Sequence, residues 1–89
     1  MRYFVYILYS KEHNKTYVGY SNNLERRLKE HNSGKSEYTK KYLPWKIVYT
    51  EEYESEIDAR HKEKYYKSAA GRRKIKKIID DLSPGSSAG

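Results

Sequence analysis

Residues Thr16–Asn32 read TYVGYSNNLERRLKEHN, and this stretch passes from the pattern of a strand to the pattern of a helix. Its first five residues are mostly β-branched or aromatic, which favours a strand. Asn22 or Asn23 then predicts a helix N-cap, because an asparagine side chain accepts a hydrogen bond from the free amides of the first turn. Ser33-Gly34 follows directly and predicts the end of the helix.

The predicted helix carries basic residues among its leucines. One stripe combines two leucines and two basic residues at positions i, i+3, i+4 and i+7: Leu24, Arg27, Leu28 and His31. That spacing predicts a face turned toward the core. A guanidinium stays protonated, so placing it there costs free energy unless it meets an anion or several acceptors. From the helix alone two alternatives stay open: Arg27 extends past the leucines into water, and His31 caps or packs near the helix C-terminus.

Two further strands are predicted on either side of this stretch. Tyr3–Tyr9 alternates with apolar or aromatic residues on both faces, which predicts a strand covered on both sides. A short polar connection joins it to the strand described above and predicts an antiparallel hairpin. Trp45–Tyr53 (WKIVYTEEY) predicts a third strand, in which Ile47 and Tyr49 face opposite to Val48.

The last third of the chain predicts two helices and a tail. Ser55, with Asp58 three residues later, predicts a helix start, and Gly71 predicts an interruption of that helix. A stripe at helical spacing marks the last helix: Ile75, Ile78, Ile79 and Leu82. We expect one domain over residues 1–82 and a flexible tail over residues 83–89 (SPGSSAG). The predicted fold class is α+β, a three-stranded antiparallel sheet flanked by helices in the order β-β-α-β-α-α.

Composition narrows the class of protein. The chain has 89 residues, which suits one small domain, and no cysteine, which excludes disulfides and thiolate metal sites. No apolar run approaches a membrane span, and the N-terminus lacks the small-residue cleavage site of a signal peptide, so we expect a cytoplasmic protein with no membrane partner. Nineteen Lys and Arg against twelve Asp and Glu give a net charge of +7. This charge favours a polyanionic partner, first of all nucleic acid, over a basic protein without one.

Two tyrosines are expected on the sheet face that the basic helix covers. Tyr6 and Tyr17 lie on the two paired strands, and each phenol can donate, accept or lose a proton. An arginine beside them can stabilise charge on phosphate oxygens, while a tyrosine or a histidine moves a proton. This combination predicts a site that handles a phosphodiester.

Two tripeptides and the helix after them match a known family. Phe4-Val5-Tyr6 and Tyr17-Val18-Gly19 are separated by ten residues. Arg27 follows ten positions after Tyr17, and His31 comes one turn later. Over roughly residues 2–80 the chain resembles the GIY-YIG nuclease domain, and more closely its small single-domain bacterial members, the UPF0213 group. It departs from the family name in having phenylalanine for the first glycine and valine for isoleucine in both tripeptides.

The resemblance implies the same sheet and helices, and metal-dependent cleavage of a DNA phosphodiester. The residues that it implies for catalysis are Tyr6, Tyr17, Arg27 and His31, and the residue that it implies for binding Mg²⁺ or Mn²⁺ is Glu63. The residues alone point to Glu63 with less force, as the one acidic residue between Ala59 and Ile79. The alternative that it only offsets neighbouring lysines on a helix surface stays open.

The implied mechanism divides the work among these five residues. Tyr17, or Tyr6 with it, accepts a proton from an attacking water with help from His31. Arg27 braces the scissile phosphate, and Mg²⁺ on Glu63 stabilises the leaving oxygen. A tyrosine base needs its pKa, ordinarily about 10, to be lowered, and we expect the arginine and the metal to lower it.

A basic surface supports a nucleic-acid partner. The stretch from Arg60 to Lys77 contains nine Lys or Arg, and a polar loop places two more lysines beside Tyr38 and Tyr42. Such charges contact phosphates without regard to sequence, and tyrosines stack on unpaired bases. The alternative is a solvated lysine face. The residues expected to contact nucleic acid are Lys40, Lys41, Arg60, Lys64, Lys67, Arg72 and Arg73.

Two classes of function remain after these observations. The first is a DNA endonuclease, structure-selective or weakly sequence-selective, in repair or recombination, with single-stranded DNA, branched DNA and RNA all open as substrates. The second is a nucleic-acid-binding module of the same fold that is non-catalytic or depends on a partner. Larger members of the family cut where an attached domain directs them. We expect no such domain here, so a targeting protein is a candidate partner.

Overall fold

The computed structural model describes residues 2–82, and the prediction of a flexible tail over residues 83–89 falls outside that range. The strands are β1 (Tyr3–Ser10), β2 (Lys15–Ser21) and β3 (Lys46–Tyr53). The α-helices are α1 (Leu24–Asn32), α2 (Glu56–Lys67) and α3 (Ala69–Asp81), and a short 3-10 helix spans Thr39–Tyr42. The predicted fold class and element order are therefore confirmed. Within residues 2–82, no helix is long and apolar enough to cross a membrane.

The sheet is antiparallel, with β1 at its centre in the order β2-β1-β3. Between β1 and β3 the register shifts, since Ile7 pairs with Tyr49 while Leu8 pairs with Ile47. Val48 is the extra residue of this β-bulge. The prediction that Ile47 and Tyr49 share a face is therefore wrong: they pack on opposite faces of the sheet.

Each face of the sheet has its own core. On the face covered by α1, the buried residues are Tyr6, Leu8 and Trp45. On the face covered by α2 and α3, they are Val5, Ile7, Val18, Ala59, Tyr66 and Ile75. We call these the α1 face and the α2/α3 face. Because β1 contributes apolar residues to both, the predicted strand covered on both sides is confirmed.

Local side-chain hydrogen bonds set the helix starts. The Asn23 side-chain oxygen accepts from the Arg26 amide at 3.1 Å and so caps α1. The Ser55 hydroxyl does the same for the Asp58 amide at 3.2 Å at the start of α2. At the end of α1 the chain turns through Gly34, whose φ of +86° suits glycine. These capping predictions are confirmed.

The break between α2 and α3 lies at Ser68, which corrects the predicted interruption at Gly71. The Ser68 hydroxyl accepts from the Gly71 amide at 3.3 Å and caps α3. Gly71 lies inside the first turn of α3, where a Cβ would overlap the backbone of Tyr65 and Tyr66. The glycine therefore permits close helix packing instead of ending a helix. The expected apolar stripe of α3 ends at Ile79. Its predicted last member, Leu82, is the C-cap residue and is 50 % exposed.

Candidate functional site

The pairing of β1 with β2 decides where the Tyr6 side chain can lie. Tyr6 stands opposite Gly19 in the register. A Cβ on Gly19 would overlap the phenol oxygen and the adjoining ring carbon of Tyr6. The missing side chain therefore lets the Tyr6 ring lie across β2. This gives a physical reason for glycine in the second tripeptide.

Helix α1 places His31 behind this phenol. His31 is 1 % exposed, so the side chain is inside the core and not at a solvated helix end. Its Nε2 lies 3.1 Å from the Tyr6 hydroxyl. Its Nδ1 lies 3.0 Å from the hydroxyl of Thr39, in the 3-10 helix. The imidazole thus joins two buried hydroxyl groups.

Arg27 reaches the same phenol from one turn earlier in α1. Its guanidinium donates to the Glu30 carboxylate at 2.7 Å, and its positive charge acts to lower the pKa of the Tyr6 phenol. The side chain is 34 % exposed, which leaves part of the guanidinium accessible. Arg27 therefore pairs with a carboxylate at the edge of the core and does not only extend into water.

Tyr17 completes the group on the α1 face. Its ring centroid lies 4.8 Å from that of His31 and 6.4 Å from that of Tyr6. The structure thus brings together the four side chains that the sequence predicted for catalysis: Tyr6, Tyr17, Arg27 and His31.

An accessible cleft of about 460 Å³ opens at the β2 edge beside this group. Tyr6, Tyr17 and Arg27 line it from the α1 side, and Glu63 lines it from α2. Helix α2 covers the opposite face of the sheet, but it lies against both β1 and β2, so Glu63 reaches this edge. We call this opening the edge cleft. His31 does not line the edge cleft, but it contacts Tyr6 and Tyr17, which do.

Burial dominates the proton equilibria at Tyr6 and His31. Burial raises the pKa of Tyr6 by more than Arg27 lowers it. The expectation of a tyrosine pKa lowered by the arginine is therefore wrong for Tyr6 in the protein by itself. Burial, with a smaller effect from Arg27, lowers the pKa of His31. At neutral pH the pair thus consists of a neutral phenol and a neutral imidazole.

Glu63 suits a hard divalent cation that keeps much of its water. Its side chain is 21 % exposed and forms an ion pair with Lys67 at 3.4 Å. Among residues 2–82, no group of three His, Cys, Asp or Glu side chains could hold a metal ion. Mg²⁺ commonly binds one or two carboxylates and completes its shell with water and substrate phosphates. One carboxylate on an accessible cleft fits that mode, and Glu56 lines the same cleft.

Four of the seven residues predicted to contact nucleic acid flank the edge cleft. Arg60 and Lys64 line a depression that also contains Glu63. Lys67 and Arg72 line an adjoining groove with Tyr17 and Tyr38, which we call the basic-aromatic groove. The structure places the other three at exposed positions outside these two openings: Lys40, Lys41 and Arg73. Lys40 there pairs with Glu37 at 3.3 Å.

Thr39 is a buried polar residue next to His31 that the sequence analysis did not predict. It is 0 % exposed, although it lies in a stretch that reads as a polar loop. Trp45 donates its indole N–H to the Thr39 carbonyl at 2.7 Å. Asn32 in turn forms hydrogen bonds with the amide and the carbonyl of Trp45 at 2.7 and 3.0 Å. A tryptophan directly after a polar loop is the one sequence signal that this loop folds against the core.

Comparison with known proteins agrees with this fold. A family model described as the GIY-YIG catalytic domain matches residues 2–76. The chain therefore belongs to the GIY-YIG family. It is 39 % identical over 82 residues to a UPF0213 protein of Limosilactobacillus reuteri (strain DSM 20016), which covers 89 % of this chain and 84 % of that protein.

Two further relatives carry the same group name. A UPF0213 protein of Clostridium perfringens (strain 13 / Type A) is 40 % identical over 76 residues, which cover 84 % of this chain and 81 % of that protein. The solution NMR structure of a UPF0213 protein from Bacillus halodurans aligns with a TM-score of 0.53 at 32 % identity. That alignment covers 88 % of this chain and 85 % of that chain. Within its family, the chain thus groups with the UPF0213 proteins.

Proposed function

We propose that this protein is a metal-dependent endonuclease that hydrolyses DNA phosphodiester bonds. The observation that carries the proposal is the convergence of Tyr6, Tyr17, Arg27 and Glu63 on one accessible cleft. A binding module needs positive charge, but it does not need two phenols, a guanidinium and a carboxylate around one opening. Membership of the GIY-YIG family supports the same class of reaction.

Proton transfer in this proposal runs from the edge cleft into the core. The attacking water loses a proton to the Tyr6 oxygen, while the Tyr6 hydroxyl proton passes to His31 Nε2, 3.1 Å away. Burial and Arg27 lower the pKa of His31, so its imidazole is unprotonated at neutral pH and Nε2 is open to that proton. Tyr17, on the wall of the cleft, orients the water and the phosphate. This arrangement makes Tyr6 a carrier of the proton and avoids the cost of a buried phenolate.

Arg27 and Glu63 handle the charge of the phosphate. The accessible part of the Arg27 guanidinium donates to phosphate oxygens, which gain negative charge as the water attacks. Glu63 would hold Mg²⁺ or Mn²⁺, and the ion would stabilise charge on the phosphate. Lys67, which pairs with Glu63 at 3.4 Å, would then be free to contact a neighbouring phosphate.

The surroundings of the cleft favour weak sequence selectivity. Lys67 and Arg72 in the basic-aromatic groove, and Arg60 and Lys64 beside Glu63, supply contacts to phosphates without reading bases. Single-stranded or branched DNA offers unpaired bases to the groove tyrosines. Such a substrate suits DNA repair or recombination in the cytoplasm, and RNA offers the same phosphates.

A second candidate is a nucleic-acid-binding module that cuts only with a partner. The observation that favours it is the raised pKa of Tyr6, which is set by burial. If only a bound partner or a particular substrate can reposition this phenol, the chain by itself binds without cutting. A targeting protein would then supply both the location and the activation.

Cleavage assays with single variants test the proposal. Labelled single-stranded, duplex and branched DNA are incubated with the protein and Mg²⁺ or Mn²⁺, and then with EDTA. Arg27→Ala and Glu63→Ala run beside Lys29→Ala, a control at an exposed position of the same helix outside the edge cleft. We expect metal-dependent cutting that the first two variants lose and the control keeps. Salt-sensitive binding without cutting by the unaltered protein would support the binding module instead.

A further inference from the structure

Thr39 is buried at the far end of the proton path and has no assigned role. We propose that Thr39 is a positioning residue, whose hydroxyl accepts a hydrogen bond from His31 Nδ1–H and thereby leaves Nε2 free to accept the Tyr6 proton. This inference rests on the proposed function for its catalytic meaning, but its structural content can be tested without cleavage.

The hydrogen-bonding capacity of each group defines the direction of the proposed chain. The phenol of Tyr6 donates to His31 Nε2 at 3.1 Å, and that nitrogen must be unprotonated to accept the bond. A neutral imidazole with a bare Nε2 carries its proton on Nδ1. Thr39 Oγ1, at 3.0 Å from that atom, is the acceptor.

The surroundings of Thr39 hold its hydroxyl in place. Thr39 is 0 % exposed, and its carbonyl accepts from the Trp45 indole at 2.7 Å. Asn32, next to His31 in α1, forms hydrogen bonds with both backbone groups of Trp45. The helix that carries the imidazole and the loop that carries the hydroxyl are therefore tied together at two points. A hydroxyl can accept from Nδ1–H or donate to a bare Nδ1, and we assign Thr39 the accepting role.

The assignment also explains why the loop before β3 folds inward. Its outward side chain, Tyr38, is 44 % exposed and lines the basic-aromatic groove. The next residue, Thr39, points into the core. A nucleic acid that shifts Tyr38 would thus act directly on the backbone that sets the His31 tautomer.

Nitrogen-15 NMR of the histidine rings tests the tautomer directly. The unaltered protein, Thr39→Ser, Thr39→Val and the control Thr50→Val are compared above the pH at which His31 protonates, with the His31 signals assigned from their loss in His31→Gln. We expect a protonated Nδ1 and a bare Nε2 in the unaltered protein, Thr39→Ser and the control. Thr39→Val, which keeps the shape and removes the acceptor, is expected to shift the ring toward the Nε2–H form. A protonated Nε2 in the unaltered protein would overturn the proposal, even if Thr39→Val fails to fold.

Cleavage kinetics add a readout that a merely structural residue would not move. We expect Thr39→Val to lower kcat by about 10- to 100-fold with little change in KM, by analogy with the loss of a partner that orients a metal-bound histidine. The acid limb of its pH profile should move to lower pH, because Nδ1–H loses the acceptor that stabilises the imidazolium. Full activity in Thr39→Val would overturn the proposal. Absence of cleavage by the unaltered protein would instead contradict the proposed function, and the tautomer would still decide the role of Thr39.

Discussion

Two tyrosine clusters lie on opposite faces of one sheet and have opposite chemical character. On the α2/α3 face, Glu51 accepts hydrogen bonds from Tyr49, Tyr53 and Tyr66 at 2.6, 2.5 and 2.5 Å. On the α1 face, the Tyr6 hydroxyl lies 3.1 Å from His31 Nε2, and the charge of Arg27 acts on its pKa. Tyrosine is therefore paired with a carboxylate on one face of the sheet and with an imidazole on the other.

The carboxylate fixes its phenols as donors. Burial acts to raise the pKa of Glu51, but the three phenols and Lys62 together lower it by more, so the carboxylate stays ionised. Burial and the carboxylate together raise the pKa of Tyr53 to about 12 and that of Tyr66 further still. An ionised carboxylate can only accept, and none of these three phenols has reason to lose its proton. This cluster holds β3 against α2 and moves no proton.

The imidazole cluster differs because His31 can both donate and accept. Its neutral ring can take a proton on one nitrogen while the other remains bonded to Thr39. Its tyrosines also line the edge cleft, whereas those of the Glu51 cluster do not. The two clusters thus differ in the partner of their tyrosines and in the access of those tyrosines to the edge cleft.

Removing one hydroxyl from each cluster is the strongest test of this comparison. We expect Tyr6→Phe to lower the cleavage rate by about 10²- to 10⁴-fold, the range for a group that transfers a proton in the transition state. Tyr66→Phe, which loses the bond to Glu51, should lower thermal stability and leave the rate per folded molecule unchanged. Single-turnover cleavage and calorimetry on both variants measure the two effects. Equal rate losses in both variants would erase the distinction between the clusters.

The next largest expected effect is a loss of unfolding free energy when Glu51, the shared acceptor of three tyrosines, is removed. Glu51→Ala leaves three phenols without their acceptor, two of them on half-buried tyrosines and one on the fully buried Tyr66. We expect it to cost about 3 kcal/mol of unfolding free energy. Glu52→Ala is the matched control, because Glu52 is the next residue, is exposed and pairs with Arg2 at the surface. That change should cost less than about 1 kcal/mol. Urea titration of both variants gives the comparison, and similar midpoints would show that the Glu51 cluster is not structural.

An exposed tyrosine from each face sharpens the comparison for binding. Tyr38 is 44 % exposed in the basic-aromatic groove, and Tyr65 is 38 % exposed on α2. We expect Tyr38→Ala to weaken binding of single-stranded DNA by about 1–3 kcal/mol through lost base stacking. Tyr65→Ala should change it little. Fluorescence anisotropy at fixed salt measures both, and a stronger effect at Tyr65 would move the binding surface away from the groove.

The smallest expected effect is a shift in the pH profile of cleavage. His31 must be unprotonated to accept a proton, and its pKa is lowered by burial and by Arg27. The rate should therefore stay on its plateau as pH falls past about 6.5, the ordinary histidine value, and decline only below it. Initial rates across pH 5–8, corrected for the folded fraction, test this. A decline centred above about 6.5 would show that His31 is not the acceptor.

Local interactions explain how much of the fold the sequence determined. The helix starts at Asn23 and Ser55 follow from side chains that bond to amides three residues away. The periodicities of β1 and α1 likewise predicted which residues turn inward, including Arg27 and His31. The order of elements could be read from such patterns because it depends on near neighbours. The family and the candidate catalytic residues were instead implied by the resemblance of the two tripeptides and the helix after them to the GIY-YIG domain.

The tertiary structure decided what these patterns left open. The bulge at Val48 comes from pairing with β1, and the packing at Gly71 comes from contact with α2, so neither has a local signal. The pKa of Tyr6 is raised because burial outweighs a neighbouring charge, and only the packed core sets that balance. The partners of His31 are 25 and 8 residues away in the chain, at Tyr6 and Thr39. Sequence alone therefore placed the histidine on the inner face, while long-range packing decided which two hydroxyl groups it contacts.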